Sequence, residues 1–136
     1  MIDAETRSAV MASIGSVDTG PEMALRTALT KLGGKYRLHD KRLPGTPNIV
    51  MKRYKLAIFV NECFSHGCPE HFKLPYKERD YWENKIHRNR ARDMQNCYSL
   101  RRLGWRTIVI WEHEIREDPM IAAEKVMQKV LDCVAV

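Results

Sequence analysis

No apolar run in this 136-residue chain approaches the roughly 18 to 20 residues a membrane-spanning helix requires, so no membrane partner is expected. The first residues, MIDAETRS, lack the basic and apolar regions of a secretory leader, and a reducing cytoplasm is the expected location. Cysteine is scarce, and four thiols in that compartment argue for metal binding or packing, not disulfides. Repeats, low-complexity segments and composition breaks are also missing, so a single domain over residues 1–136 is expected. With 44% hydrophobic and 29% charged residues, intrinsic disorder is excluded.

Acidic residues are the minority charge, 17 against 23 basic ones, and the excess of +6 is unevenly spread. Lys35 to Lys55 carries Lys35, Arg37, Lys41, Arg42, Lys52, Arg53 and Lys55 against Asp40 alone. Lys85 to Arg106 carries Lys85, Arg88, Arg90, Arg92, Arg101, Arg102 and Arg106 against Asp93 alone. Two such blocks suit either a positive groove that tracks phosphates or two solvated faces, and charge alone does not separate the two.

Hydrophobic spacing supplies the elements. Glu5 to Ile14 reads as a short helix, with Val10, Met11 and Ile14 at helical spacing. Thr19, Pro21 and Glu22 form a start signal for a second helix through Met23, Leu25, Leu29 and Leu32, ending at Gly33-Gly34. As a capping-box partner Glu22 already has a structural explanation. Tyr36 to Leu38 is a short strand, and Asn48 to Met51 with Lys55 to Asn61 forms a hairpin around Lys52-Arg53-Tyr54. Glu78 to Leu103 reads as a long helix burying Trp82, Ile86, Met94, Cys97 and Leu100 or Tyr98. Trp105 to Trp111 is a strand whose apolar TIVIW run suggests a central position, and Pro119 to Cys133 is an amphipathic helix with Ile121, Val126, Val130 and Leu131 inward. The order ααβββαβα predicts an α/β fold, a mixed sheet with helices on both faces.

The chemically dense stretch is FVNECFSHGCPEH, Phe59 to His71, with two cysteines and two histidines in the nine residues from Cys63. Cys63, Cys68 and His71 have the spacing of a zinc clamp, and His113, just past a second strand, is the candidate fourth ligand. His66 is left over as a free imidazole in a metal-pinned loop. Cys97 and Cys133 sit in helical patterns and read as packing. A nuclease sheet would place an acidic residue at the head of its first hairpin strand to hold Mg²⁺ against a phosphate. Asn48 stands there, with the carbonyl oxygen but not the charge, so weak Mg²⁺ binding is expected.

These residues together resemble the very short patch repair (Vsr) endonucleases, DNA nickases of the restriction-endonuclease-like PD-(D/E)XK fold. The likeness runs from about Thr6 to Ile115 through M-x-x-I at Met11 to Ile14, D-T-x-P-E at Asp18 to Glu22, Y-R-L-H-D at Tyr36 to Asp40 and L-P-G-x-P at Leu43 to Pro47. It continues in C-F-x-H-G-C-P-E-H at Cys63 to His71, Y-W-x-x-K-I-x-x-N-x-x-R-D at Tyr81 to Asp93 and G-W-x-x-x-x-x-W-E at Gly104 to Glu112.

The resemblance implies structural zinc on Cys63, Cys68, His71 and His113, His66 as the base that activates water, Glu22 as an auxiliary acid, and Mg²⁺ held partly by the Val60 backbone. It also marks three departures: Asn48 in place of the magnesium aspartate, Glu62 in place of a loop glycine, and Ser65 in place of the tryptophan that, beside Phe64, wedges into DNA. Either catalysis is lost and DNA binding kept, or Glu62, two residues past Val60, supplies the missing charge; a solvated loop acid is the plainer alternative for Glu62. Met11 and Phe64 remain to insert, and Lys41, Arg42, Lys85, Arg88 and Arg92 are the expected phosphate contacts. The leading reading is a zinc-pinned, Mg²⁺-dependent endonuclease that nicks duplex DNA in mismatch repair or beside a restriction system. A monomer is expected, associated with the nucleoid, with contacts to other repair proteins as a further expectation. The alternatives are a nuclease-derived DNA-binding or regulatory protein and a zinc-stabilised protein-interaction module.

Overall fold

The computed structural model describes residues 19–64, 66–70 and 72–134, side chains included up to residue 132. The expected helix over Glu5 to Ile14 and the packing of Cys133 lie outside that description. Thr19 caps the first described helix, α1 (Gly20–Lys31): its Oγ1 accepts the Glu22 N–H at 3.3 Å, with Pro21 in the first turn. Leu25, Ala28 and Leu29 are buried, whereas Met23 and Leu32 are 46% and 36% exposed. The inward stripe is shared with Glu22, which is itself buried.

Strands β1 (Arg37–Leu38), β2 (Ile49–Met51), β3 (Leu56–Asn61) and β4 (Arg106–Trp111) form one sheet in the order β1-β2-β3-β4. The first two pairings are antiparallel and β3–β4 is parallel, so the sheet is mixed as expected. A 3₁₀ turn, Lys52–Tyr54, closes the β2–β3 hairpin. The parallel return from β3 to β4 requires a crossover, which the long helix α2 (Arg79–Arg102) provides.

Side chains alternate across the sheet. Ile49, Met51, Leu56, Ile58 and Ile110 join Leu25, Ala28 and Leu29 of α1 and Ala122, Ala123, Val126 and Val130 of α4 (Pro119–Val134) in one core. Phe59, Asn61 and Val109 point the other way and line a small cleft with Asp93, Asn96 and Cys97 of α2. Burying this much apolar side chain, at about 1.5–3 kcal/mol for each large residue, is the main stabilising term.

Three expectations are corrected. Among the described residues β4 is an edge strand of this sheet, not a central one; its TIVIW run is apolar because helices cover both of its faces. In α2, Ile86 is buried, and of the two alternatives Leu100 and Tyr98 it is Leu100 that points inward, but Met94 is 74% exposed, because the inward positions between the apolar ends belong to Asn89, Asp93 and Asn96. In α4, Ile121 and Leu131 are exposed and Ala122 and Ala123 are buried, the small side chains letting α4 approach α1 closely. An additional short helix, α3 (Glu112–Glu117), begins directly at the end of β4. Glu114 causes this turn by accepting the Trp111 N–H at 2.8 Å through Oε2.

The register decides where the site lies. Asn61 is opposite Trp111, and Ile49 is opposite Ile58, so Asn48, the end of β3 and the start of α3 share one end of the sheet. The N-terminus of α1 comes to the same end, through the contact between Glu22 and Asn48.

Candidate active site and metal centre

Glu22 is 1% exposed, and among the described residues three side chains engage its carboxylate. Asn48 Nδ2 donates to Oε1 at 2.7 Å, His39 Nε2 lies 3.0 and 3.1 Å from Oε1 and Oε2, and Arg26 Nη1 donates to Oε2 at 3.3 Å. Asn48 Oδ1 in turn accepts the Val60 N–H at 2.9 Å. The capping geometry thus accounts for the Glu22 N–H, while its carboxylate lies at the junction of α1, β2 and β3.

The loop after β3 is closed by short-range bonds: the Cys68 N–H donates to Cys63 O at 2.8 Å and the Phe72 N–H to Cys68 O at 3.0 Å. This turn folds both cysteine sulfurs toward His113, whose Nδ1 is 3.3 Å from Cys63 Sγ and 3.5 Å from Cys68 Sγ. The three ligand atoms lie within 4.8 Å of one another. Tetrahedral zinc, with Zn–S about 2.3 Å and Zn–N about 2.0 Å, sets ligand atoms roughly 3.5–3.8 Å apart, so the group fits a metal ion. Burial pushes the Cys63 thiol up, and the adjacent Cys68 sulfur adds to it. A bound dication would reverse that balance. On the far side of the ring, His113 Nε2 is 3.4 Å from Glu70 Oε2, an outer carboxylate that orients the imidazole. The expected fourth ligand, His71, lies outside the described residues.

His66 projects from the same loop with its Nδ1 2.6 Å from Asp93 Oδ2. Arg90 locks the loop to α2, donating to Gly67 O at 2.6 Å with its guanidinium over the Phe72 ring. Gly67 has φ +64°, a backbone conformation that favours glycine, and a Cβ there would stand 2.6 Å from the Arg90 guanidinium and push it aside.

Phe64 is 38% exposed and packs edge-on to Trp82 at 5.1 Å and against Phe72 at 5.8 Å. Lys85 lies over the Trp82 and Tyr81 rings at 5.3 and 6.0 Å. Lys41, Arg42, Arg88 and Arg92 are all exposed. The loop that carries the first two lies directly on α2: Gly45 has φ +78°, and a Cβ there would meet Asn96 at 2.8 Å. The two basic segments are therefore neighbours in space. Within them Arg42 is partly spent on Asp40, bonding Oδ1 at 3.1 Å and Oδ2 at 3.3 Å, and these bonds hold the Asp40 carboxyl below the usual carboxylate range. Met11 and Ser65 lie outside the described residues.

A family model described as DNA mismatch endonuclease Vsr matches residues 1–71. A type II nicking enzyme of Xanthomonas oryzae pv. oryzae is 41% identical over 130 residues, covering 94% of this chain and 93% of that protein. The DNA mismatch endonuclease Vsr of Escherichia coli (strain K12) is 35% identical over 130 residues, covering 94% and 83%. A type II nicking enzyme of Neisseria meningitidis serogroup A is 39% identical over 112 residues, covering 81% and 79%.

The chain belongs to the Vsr family. As a Vsr-family protein it is a DNA endonuclease, a hydrolase of phosphodiester bonds. Among the described residues no helix is long and apolar enough to cross a membrane. Three residues of the candidate site were given no role by the sequence reading. Asp93 stood in the sequence as the one acid of the second basic block and as the last residue of the Tyr81 to Asp93 motif, with no role attached; helical spacing was its further signal, since seven residues from both Ile86 and Leu100 it faces inward. His39, within the Tyr36 to Asp40 motif, and Arg90, within the second basic block, carried no sign of a role, because their contacts with Glu22 and Gly67 are made across the fold.

Proposed function

We propose that this Vsr-family endonuclease nicks one strand of duplex DNA with His66 as the general base and Asp93 as the residue that orients it. The 2.6 Å contact between them is the observation that carries this reading. With Nδ1–H donated to Asp93, Nε2 is the free, basic nitrogen and takes a proton from the water that attacks phosphorus; the carboxylate then stabilises the imidazolium formed. Arg90 keeps the His66 loop against α2, and exposed Lys41, Lys85, Arg88 and Arg92 supply a cationic surface for the phosphate backbone. A restriction-endonuclease-like topology and a cytoplasmic, nucleoid-associated monomer complete the proposal. The assay is relaxation of supercoiled plasmid to the open-circular form, which His66→Ala should abolish.

Zinc fits Cys63, Cys68 and His113, with His71 as the fourth ligand; it supplies a structural crosslink between the β3 loop and α3. Magnesium does not fit the residues at position 48. The Asn48 oxygen takes the Val60 N–H, and the amide NH₂, not an oxygen, faces the Glu22 carboxylate. That arrangement favours a second reading, in which the chain binds duplex DNA with little turnover. The plasmid assay separates the two.

A further inference from the structure

An ionised carboxylate as enclosed as Glu22 is costly unless its lone pairs are occupied. Here they are filled from within the chain, by Asn48, His39 and Arg26. The orientation of the Asn48 amide follows from its other partner: the Val60 N–H can only donate, so Oδ1 must face it and Nδ2 must face Glu22. His39 is bound into the same unit twice. Its N–H donates to Asn48 O at 3.1 Å, and its backbone takes φ +48°, an uncommon conformation for a non-glycine residue, as the ring reaches Glu22.

Residue 48 therefore decides what the centre needs. A carboxylate there would bring an oxygen to where Nδ2 now stands, 2.7 Å from Glu22 Oε1. Two carboxylates at that separation require a shared proton or a cation between them. An amide requires neither.

We propose that in this chain the Asn48 amide, braced by His39, takes the place of a divalent cation at Glu22, so that the acidic centre is complete without one. Asn48→Asp alone then converts it into a site for a hard divalent cation. The chemistry of position 48 sets the cation demand, and His39 is a positioning residue that holds the carboxylate in either state.

The test uses the zinc-loaded protein without chelator and reads the thermal unfolding midpoint with and without millimolar Mg²⁺ or, separately, Ca²⁺, oxygen-seeking ions that leave a thiolate site alone. The original chain should shift by less than about 1 °C with either ion. Asn48→Asp should melt roughly 5 °C lower without added cation and regain most of that loss with either. Asn48→Ala and His39→Ala should melt lower with no cation response. Glu22→Gln combined with Asn48→Asp carries one carboxylate; it should melt near the original chain and ignore both ions, which keeps the test informative if Asn48→Asp alone folds poorly. Stabilisation of the original chain by Mg²⁺ or Ca²⁺ as large as that of Asn48→Asp would overturn the proposal. So would an Asn48→Asp protein that matches the original and ignores both ions.

Discussion

His66 Nδ1 and Asp93 Oδ2 stand 2.6 Å apart although 27 residues separate them in the chain, one on the loop after β3 and the other on the inner face of α2. The loop is fixed at that distance on one side by the sulfurs of Cys63 and Cys68 near His113 and on the other by Arg90 on the Gly67 carbonyl. Position and orientation of the imidazole are thus set by three contacts that involve no DNA.

If this pair performs the proton transfer, Asp93→Asn should lower single-turnover nicking by about 10²-fold or more by releasing the His66 tautomer, and leave duplex affinity within a few-fold. Asn48→Asp should raise nicking by about 10²-fold or more, and His66→Ala in that background should abolish it. Should Asn48→Asp bring no gain while Glu62→Ala removes activity, the charge at the site comes from Glu62 instead.

One equivalent of zinc should co-purify with each chain, measurable by elemental analysis. Cys68→Ala should unfold or strongly destabilise the protein, because an ion on Cys63, Cys68 and His113 would link the β3 loop to α3 and couple its binding to folding. Glu70→Ala should keep the metal but weaken it by roughly 10-fold in competition with a chromogenic chelator, since that carboxylate lies 3.4 Å from His113 Nε2. A metal-free chain that folds normally would refute the clamp.

Substrate choice should depend on position 65. A wedge replaces base stacking with its own surface, and serine offers neither area nor a π-face. Phe64 is already engaged edge-on with Trp82 at 5.1 Å. Matched and T·G-mismatched duplexes should therefore bind with similar affinity at fixed ionic strength, and both should weaken steeply with salt. Ser65→Trp should widen the gap in favour of the mismatch, which opens more easily. A strong mismatch preference in the original chain, unchanged by tryptophan, would place recognition elsewhere in the groove.

Acid stability should draw on Glu114. Burial pushes its carboxyl up, but the Lys125 ammonium at 2.8 Å and the Trp111 N–H outweigh this and leave it below the ordinary value of 4.5. A carboxyl depressed by folding stabilises at pH above its unfolded value and loses that contribution as pH falls through its folded one. Glu114→Gln should cost about 1 kcal/mol at pH 7 and flatten the acid limb below about pH 4.5, in urea titrations at several pH values. An unchanged acid limb would show that the capping of α3 carries no pH-dependent stability.

The sequence by itself determined the elements and the chemistry of the loop. Thr19 and Pro21 fix the start of α1 because capping is local, and alternating or helical apolar spacing marks β2, β3, β4 and α2 within a residue or two of their ends. Cys63 and Cys68 mark a candidate metal site because their ligand spacing is itself a short-range property. Only the tertiary structure decided that β4 is an edge strand with helices on both faces, that Met94 points outward while Asp93 points to His66, and that His39 and Asn48 converge on Glu22. Those facts depend on which faces and loop ends meet when distant segments pack. A buried carboxylate takes whatever donors the fold brings to it, and periodicity along one segment carries no record of the segment opposite.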